Sequence, residues 1–330
     1  MPVIKQIALG ASASCVLDDQ GQVWQWGTLM GASKPAGVTP SLNTWLTDVV
    51  QIAVGGNHAC ALRTNGRVRC WGENDFGQLG TGTLSGGLNN QTDVVNLEDV
   101  VQVSCGNRHS CALRTDGTVW CWGQRACFRD WEDGESLEQL TPYQIPEITD
   151  AIHVSTATET CALGSDDQVK CWGFGWLTGN DKAAPKMTMP SFGPVARLEM
   201  GDAACVLLED YKLRCWPGAL SFSSDGLWSG VAEFGLSGLG RLDCAALRDG
   251  SVRCAASQNY YHLPYHPPVD PQTPMPRLSH VSMLAVGGEH ACAIDDGCMK
   301  CWGMNHSGQI GNGTTDTAEL PTPVHWLPEK

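Results

Sequence analysis

Residues 60–72 read CALRTNGRVRCWG, and residues 111–123 read CALRTDGTVWCWG. Each stretch sets two cysteines either side of a turn. In the first, Thr64-Asn65-Gly66 has the chemistry of a three-residue hairpin loop. Gly66 takes the left-handed conformation that costs most other residues energy. With Asn65 at the apex, Arg63 faces Arg67, Leu62 faces Val68 and Cys60 faces Cys70. Directly opposed Cβ atoms lie within disulfide reach. The same arithmetic pairs Cys111–Cys121 about Asp116, Cys161–Cys171, Cys205–Cys215, and Cys244–Cys254 about Asp249. Cys292 and Cys301 stand one residue closer, and their turn, Asp296-Gly297, is a two-residue hairpin signal. The loop changes length and the opposition survives. That covariation favours covalent pairs over buried reduced thiols.

Four cysteines stand outside these pairs. Cys105 and Cys127 lie six residues beyond Cys111 and Cys121 on either side, so a further bond, Cys105–Cys127, is expected if no bulge intervenes. Cys15 faces Gln25 in place of a partner. Cys15 and Cys298 fall in the first and last units, which a closed ring would make neighbours, so a bond between them is the remaining candidate pairing. Structural zinc wants two close-spaced pairs, and only Cys298 and Cys301 have such spacing, with Cys301 already matched to Cys292. The same CMKC lacks the strand–helix context of a redox motif. No metal and no cofactor are expected.

The chain has 330 residues, a formal net charge of −14 and no basic patch, which argues against nucleic acid and anionic membrane partners. No stretch approaches a transmembrane helix. The chain starts Met-Pro-Val and runs straight into a strand pattern, with no visible signal peptide, so a mature or trimmed form is expected. Paired cysteines at this density point to an oxidising compartment: secreted, periplasmic or cell surface.

The unit that carries the cysteine frame recurs every 38 to 51 residues. Seven units align, with inner strands expected near Ile7, Ile52, Val103, His153, Leu198, Leu236 and Leu284. Most second hairpin arms end in Trp-Gly, at Trp26, Trp71, Trp122, Trp172 and Trp302; Trp216 precedes Pro217, and Ala255 replaces Trp in the sixth unit. Neighbouring Trp and Cys point to opposite faces of a strand. A sheet so built needs cover on both sides, which radial packing provides. Short strands at fixed period, with no helical periodicity, mean an all-β chain. The expected fold is a seven-bladed β-propeller of four-stranded blades, one domain over 1–330. TPVHWLPEK at 322–330 and MPVIKQIALG at the start look like two halves of one proline-bounded stretch. The C-terminal strand is therefore expected to join the N-terminal blade and close the ring.

WGENDFGQLGTGT at 71–83 and WGMNHSGQIGNGT at 302–314 follow inner segments VGGNHACAL at 54–62 and VGGEHACAI at 286–294. These resemble the repeats of the regulator of chromosome condensation family, a seven-bladed propeller. The likeness covers essentially the whole chain, most closely in units two and seven and faintly in five and six. The cysteine pairs look like a secreted bacterial variant. The family's founding member is a nuclear exchange factor for a small GTPase. That activity is not expected here, because repeat motifs do not encode it and the compartment is wrong. A secreted bacterial inhibitor of β-lactamases in the same family implies only that the scaffold suits protein binding.

His58, His109 and His290 each sit two residues before a hairpin cysteine, where other units have Ala13, Glu159, Ala203 and Leu242. Blades without the histidine suggest a local backbone hydrogen bond and no metal. The Gly-rich segments lack the Lys and helix of a phosphate loop. Asn305-His306-Ser307 and Asn312-Gly313-Thr314 fit glycosylation sequons. Function is sought where the cadence fails. Residues 258–268 hold Tyr260, Tyr261, His262, Tyr265 and His266 among prolines, a composition suited to recognition. Packing into the gap left by the sixth unit's missing Trp competes with that role. The long loop 125–140 carries Arg129 and Trp131 beside an acidic cluster. No catalytic constellation emerges. The expected function is protein recognition through loops on one propeller face, by a monomer. The alternatives are a carbohydrate-binding propeller with Trp131, Trp176 or Trp228 as stacking platforms, or an enzyme at the channel mouth.

Overall fold

The structure, a computed structural model, describes residues 2–29, 37–85, 92–124, 138–173, 187–188, 193–201, 203–216, 229–238, 242–255 and 273–326. They form seven antiparallel sheets and no helix. Among the described residues no helix is long and apolar enough to cross a membrane. Blade 1 runs Ile4–Leu9, Ala13–Asp18, Val23–Gly27, Gly37–Leu42. Blade 2 runs Val49–Val54, His58–Arg63, Val68–Gly72, and blade 3 runs Val100–Cys105, His109–Arg114, Val119–Gln124, Glu138–Gln144. Blade 4 runs Ala151–Thr156, Thr160–Gly164, Val169–Trp172, Met187–Thr188. Blade 5 runs Val195–Met200, Ala204–Leu208, Leu213–Trp216, and blade 6 runs Val231–Gly235, Asp243–Leu247, Val252–Ala255. Blade 7 runs Val281–Val286, His290–Asp295, Cys298–Gly303, Ala318–Pro323. Four strands are seen in blades 1, 3, 4 and 7 and three in the others, among the described residues. Each inner strand starts two to five residues before its expected position, the largest offset being in blade 6, where Leu236 lies just past the strand's end.

The hairpin register is the one the turns dictate. Cys60 faces Cys70, Cys111 faces Cys121 and Cys292 faces Cys301. Six disulfides join the six expected pairs. Gly66 has φ +72°, and the two-residue turn of blade 7 has positive φ at both Asp296 and Gly297, as its turn type demands.

Each disulfide and the Trp beside it serve opposite faces. Cys60 and Cys70 pack against Trp122 of blade 3, whereas Trp71 packs toward Cys15 of blade 1. The pattern repeats with Cys111 and Cys121 on Trp172, Cys244 and Cys254 on Trp302, and Cys292 and Cys301 on Trp26. Burying each interface this way removes apolar area from water at roughly 25 cal/mol per Å². Two interfaces depart from it. Trp216 is 39% exposed, and Ala255 stands where the sixth Trp would.

Three expectations are corrected. The outer strand of blade 1 is Gly37–Leu42, and the C-terminal strand Ala318–Pro323 pairs with Cys298–Gly303 of its own blade. The repeat begins with an inner strand at Ile4, so blade 1 already holds four strands and needs none from the tail. The tail reaches blade 1 by side chain instead: Trp326 meets Trp24 and Trp26 edge-on at 5.6 and 6.2 Å. Cys105 lies on the inner strand opposite Ser110, not on the ladder that holds Cys111 and Cys121, so the register argument for Cys105–Cys127 fails. Cys127 itself lies outside the described residues. Cys15 is buried and Cys298 exposed, both free, so a bond between them is excluded.

Candidate functional site

The seven inner strands surround a channel with a cavity of about 310 Å³. Each carries a β-bulge after its first residue, between Ile4/Gln6, Val49/Gln51, Val100/Gln102, Ala151/His153, Val195/Arg197, Val231/Glu233 and Val281/Met283. A bulge leaves one residue unpaired and re-aims its neighbour. The residues after the bulges are Gln6, Gln51, Gln102, His153, Arg197, Glu233 and Met283, and the first five of them line the cavity.

Three of them are committed to joining blades. Gln6 donates to the carbonyl of Ile52 at 2.8 Å and accepts from the N–H of Ile52 at 2.9 Å. Gln51 does the same to Val103, and Gln102 to Val154. Each amide thus satisfies an inner-strand residue of the next blade. The pattern changes in blades 4 to 6. Gln102 Nε2 also donates to His153 Nε2 at 3.0 Å, which leaves the proton on His153 Nδ1. Burial, then Arg197, pushes the His153 imidazole down to about 4. Arg197 bonds Glu199 at 2.6 Å and also Glu233, with its guanidinium 5.3 Å from the Phe234 ring. Glu199, with Glu233, holds Arg197 above its ordinary value. Burial pushes the Glu199 carboxyl up despite Arg197.

One end of the channel is drawn together by main chain. Gly288 donates to the carbonyl of Gly10, Ala11 to Gly56, Gly56 to Gly106, and Asn107 to Ala157. Asn107 Nδ2 reaches from blade 3 to the carbonyl of Gly238 in blade 6 at 3.4 Å. A Cβ on Gly55 would stand 2.2 Å from the Gly106 oxygen, so this close approach requires glycine.

The histidines are spent between blades. His58 Nε2 lies 2.8 Å from Ser110 Oγ, His109 from Thr160 Oγ1, and His290 from Ser14 Oγ. Ser110 and Ser14 donate onward to the carbonyls of Gln78 and Gln309, which also accept from Trp122 and Trp26. The expected local backbone bond is thus replaced by a hydroxyl of the following blade. Burial pushes His58 and His290 down to about 3 and His109 to about 4. Ser110→Ala should lower stability by about 1–3 kcal/mol by leaving His58 Nε2 without a partner, read as a shift in urea midpoint. His58, Cys60 and Cys105 lie within metal-binding distance of one another, but Cys60 is in a disulfide and His58 Nε2 is on Ser110.

Tyr260, Tyr261, His262, Tyr265, His266, Arg129 and Trp131 all lie outside the described residues, as do Trp176 and Trp228. The Gly-rich segments are loops that cover the next blade's Trp, with Gly80 against Trp122 and Gly311 against Trp26. Asn305 is buried and its Nδ2 donates to the carbonyls of Thr314 and Asp316, so it is no glycosylation acceptor.

Models of the regulator of chromosome condensation (RCC1) repeat match residues 49–78, 65–113 and 100–127. Protein pim1 of Schizosaccharomyces pombe is 32% identical over 244 residues, covering 69% of this chain and 41% of that protein. The secretion-regulating guanine nucleotide exchange factor of Mus musculus is 26% identical over 252 residues, covering 70% and 50%. The E3 ubiquitin-protein ligase HERC2 of Homo sapiens is 26% identical over 290 residues, covering 76% of this chain and 6% of the ligase. The chain therefore spans half or less of these relatives. Among solved structures, yeast RCC1 (Prp20) bound to Kap60 superposes with a TM-score of 0.72 at 21% identity, covering 92% of this chain and 83% of that one. The ectodomain of the Arabidopsis thaliana receptor kinase ACR4 has a TM-score of 0.58 at 16% identity, covering 98% and 99%.

Proposed function

We propose that this chain, a β-propeller of regulator of chromosome condensation repeats, is a binding scaffold that recognises another protein through one face of the ring. The observation that carries this reading is where the repeated polar residues go. Gln6, Gln51, Gln102, His58, His109 and His290 are all consumed in bonds between blades. The repeat therefore builds a stiff ring, and recognition falls to what varies around it. A preorganised ring loses little ordering entropy on binding. A solved neighbour is a complex with Kap60, and another was studied for binding to Gsp1p and histones. Exchange activity is not carried over, since the matched positions are those of the repeat.

The setting we propose is an oxidising one, outside the cell or at its surface. Six cross-strand cysteine pairs support it, because such bonds persist where thiols are not kept reduced. The test is affinity capture from envelope or extracellular fractions of the source organism with the native protein and a Tyr260/Tyr261/Tyr265→Ala variant. The native protein should retain a defined partner that the variant loses. Equal capture by both would remove the tyrosine loop from the account, and capture of nothing by the native ring would remove the scaffold reading.

A further inference from the structure

Disulfides of this ring pack against the inner strand of the following blade, near the end of that strand. Cys292 and Cys301 share a core cluster with Leu9, and Cys161 and Cys171 with Met200. Cys205 shares one with Leu236, and Cys244 and Cys254 with Val286. The position asks for apolar volume, and in these four blades that is what it holds. Between blades 2 and 3 the same position is Cys105, in one cluster with Cys60 and Cys70. A thiol fills the volume and adds chemistry, because it sets a nucleophile beside a disulfide.

Cys105 is buried and free. Its Sγ, Cys60 Sγ and a ring nitrogen of His58 all lie within 4.8 Å of one another. Ser110 Oγ stands among them, 3.9 Å from Cys105 Sγ, 3.8 Å from Cys60 Sγ and 2.8 Å from His58 Nε2. The Ser110 hydroxyl spends its proton on the Gln78 carbonyl at 3.0 Å. Towards its other neighbours it accepts, from His58 Nε2–H and from the Cys105 S–H. Burial pushes the Cys105 thiol up to about 12, against the opposing pull of Ser110 and of the Cys60 backbone. The resting thiol is therefore protonated and a poor nucleophile, and the native ring holds its bond as Cys60–Cys70.

We infer that Cys60, Cys70 and Cys105 form a three-sulfur exchange site, which moves a disulfide from within blade 2 to the seam between blades 2 and 3. Cys105 gives up its proton, and its thiolate attacks Cys60 Sγ. The Cys60–Cys105 bond forms as the Cys60–Cys70 bond breaks. The electron pair leaves on Cys70 Sγ, which takes up a proton. One thiol and one disulfide enter and the same leave, so no oxidant or reductant is consumed. From the present separation to a bond length the two sulfurs approach by at most about 3 Å. The product ties the second strand of blade 2 to the inner strand of blade 3, so a seam held by packing becomes covalent. The exchange is independent of what the ring binds.

Cys15 supplies an internal control. Cys15 and Cys105 each stand 45 residues from Cys60, one on either side. Both are buried, and burial pushes both thiols up to about 12. Cys15, however, packs with Leu29, Leu46 and Trp71, in a cluster that holds no disulfide among the described residues. An unfolded chain joins Cys60 to either thiol equally, so only the fold can prefer Cys105. Native protein is held at alkaline pH without added thiol, quenched with acid, alkylated, digested and read by mass spectrometry without reduction. A second sample is treated alike in strong urea. Cys60–Cys105 links should exceed Cys15–Cys60 links at least about tenfold in the native ring, where the fold holds the sulfurs together. In urea their ratio should fall to about one. Cys70 should be alkylated in the molecules that carry the new link. Cys105→Val places there the residue that Val54 and Val286 supply in blades 2 and 7, and should abolish the release of Cys70 while keeping the thermal melt. No Cys60–Cys105 link in the native protein, equal linking of Cys60 to Cys15 and Cys105 there, or release of Cys70 from folded Cys105→Val protein would overturn the inference.

Discussion

Lowering the pH from 7 to 5 should cost the fold about 6 kcal/mol, enough to unfold a protein of ordinary stability. Three fully buried imidazoles supply that sum, and His153, also pushed down to about 4 by burial, adds to it. His58 and His290 are pushed down to about 3 and His109 to about 4, each by burial. In the unfolded chain they titrate near about 6.5. Their folded values are depressed, so the stability they lend is complete above pH 6.5 and is lost as pH falls toward the folded values. In that window the unfolded chain takes up protons that the native ring refuses. Each histidine contributes about 2 kcal/mol between pH 7 and pH 5. Urea unfolding across this range measures the slope. The matched pair His58→Ala with Ser110→Ala removes one histidine and its partner together, and should flatten the slope by about one proton. A slope independent of these histidines would mean that they are charged or exposed in the native ring.

Reduction should have the larger effect. Each disulfide closes a loop of 9 or 10 residues, and restricting the unfolded chain in that way is worth about 3 kcal/mol per bond. Four of the bonds are buried beneath inter-blade Trp residues, so reductant reaches those only as blades open, whereas Cys215 of the fifth blade is only partly buried. Dithiothreitol alone should act slowly, and dithiothreitol with sub-denaturing urea should unfold the chain in one transition. Six such bonds together exceed the about 5–15 kcal/mol that a folded domain usually has to lose. Retention of the full sheet signal with every thiol reduced would contradict this ranking.

Much of the architecture was legible because hairpins are local. Turn type fixes register, and register brings Cys60 to Cys70 whatever the rest of the chain does. Alternation along a strand then assigns Trp71 and Cys70 to opposite faces, which the inter-blade clusters bear out. Relations between units were harder to read. Joining tail to head looked plausible by composition, yet Ala318–Pro323 folds back on its own blade because the first unit is already complete. The histidine contacts had a signal that single-unit reading passes over. His occurs in blades 2, 3 and 7, and the hydroxyls Ser110, Thr160 and Ser14 occur one position later in blades 3, 4 and 1. A polar residue in one repeat was matched to a polar residue in the next. The bulges left no such trace, because Val49-Val50 and Val100-Val101 read as ordinary buried strand. The sequence therefore offers the channel mouth only as the place of an alternative enzyme site, without residues, and its recognition signal lies in residues 258–268, where the repeat breaks down.

The claim on which fold, compartment and partner class all depend is the oxidised state of the six pairs. Native protein alkylated before digestion, without reductant, and analysed by mass spectrometry tests it directly. The account predicts linked peptides for Cys60–Cys70, Cys111–Cys121, Cys161–Cys171, Cys205–Cys215, Cys244–Cys254 and Cys292–Cys301, with Cys298 alkylated at the surface. Alkylated thiols at Cys60 and Cys70 in folded protein would contradict it.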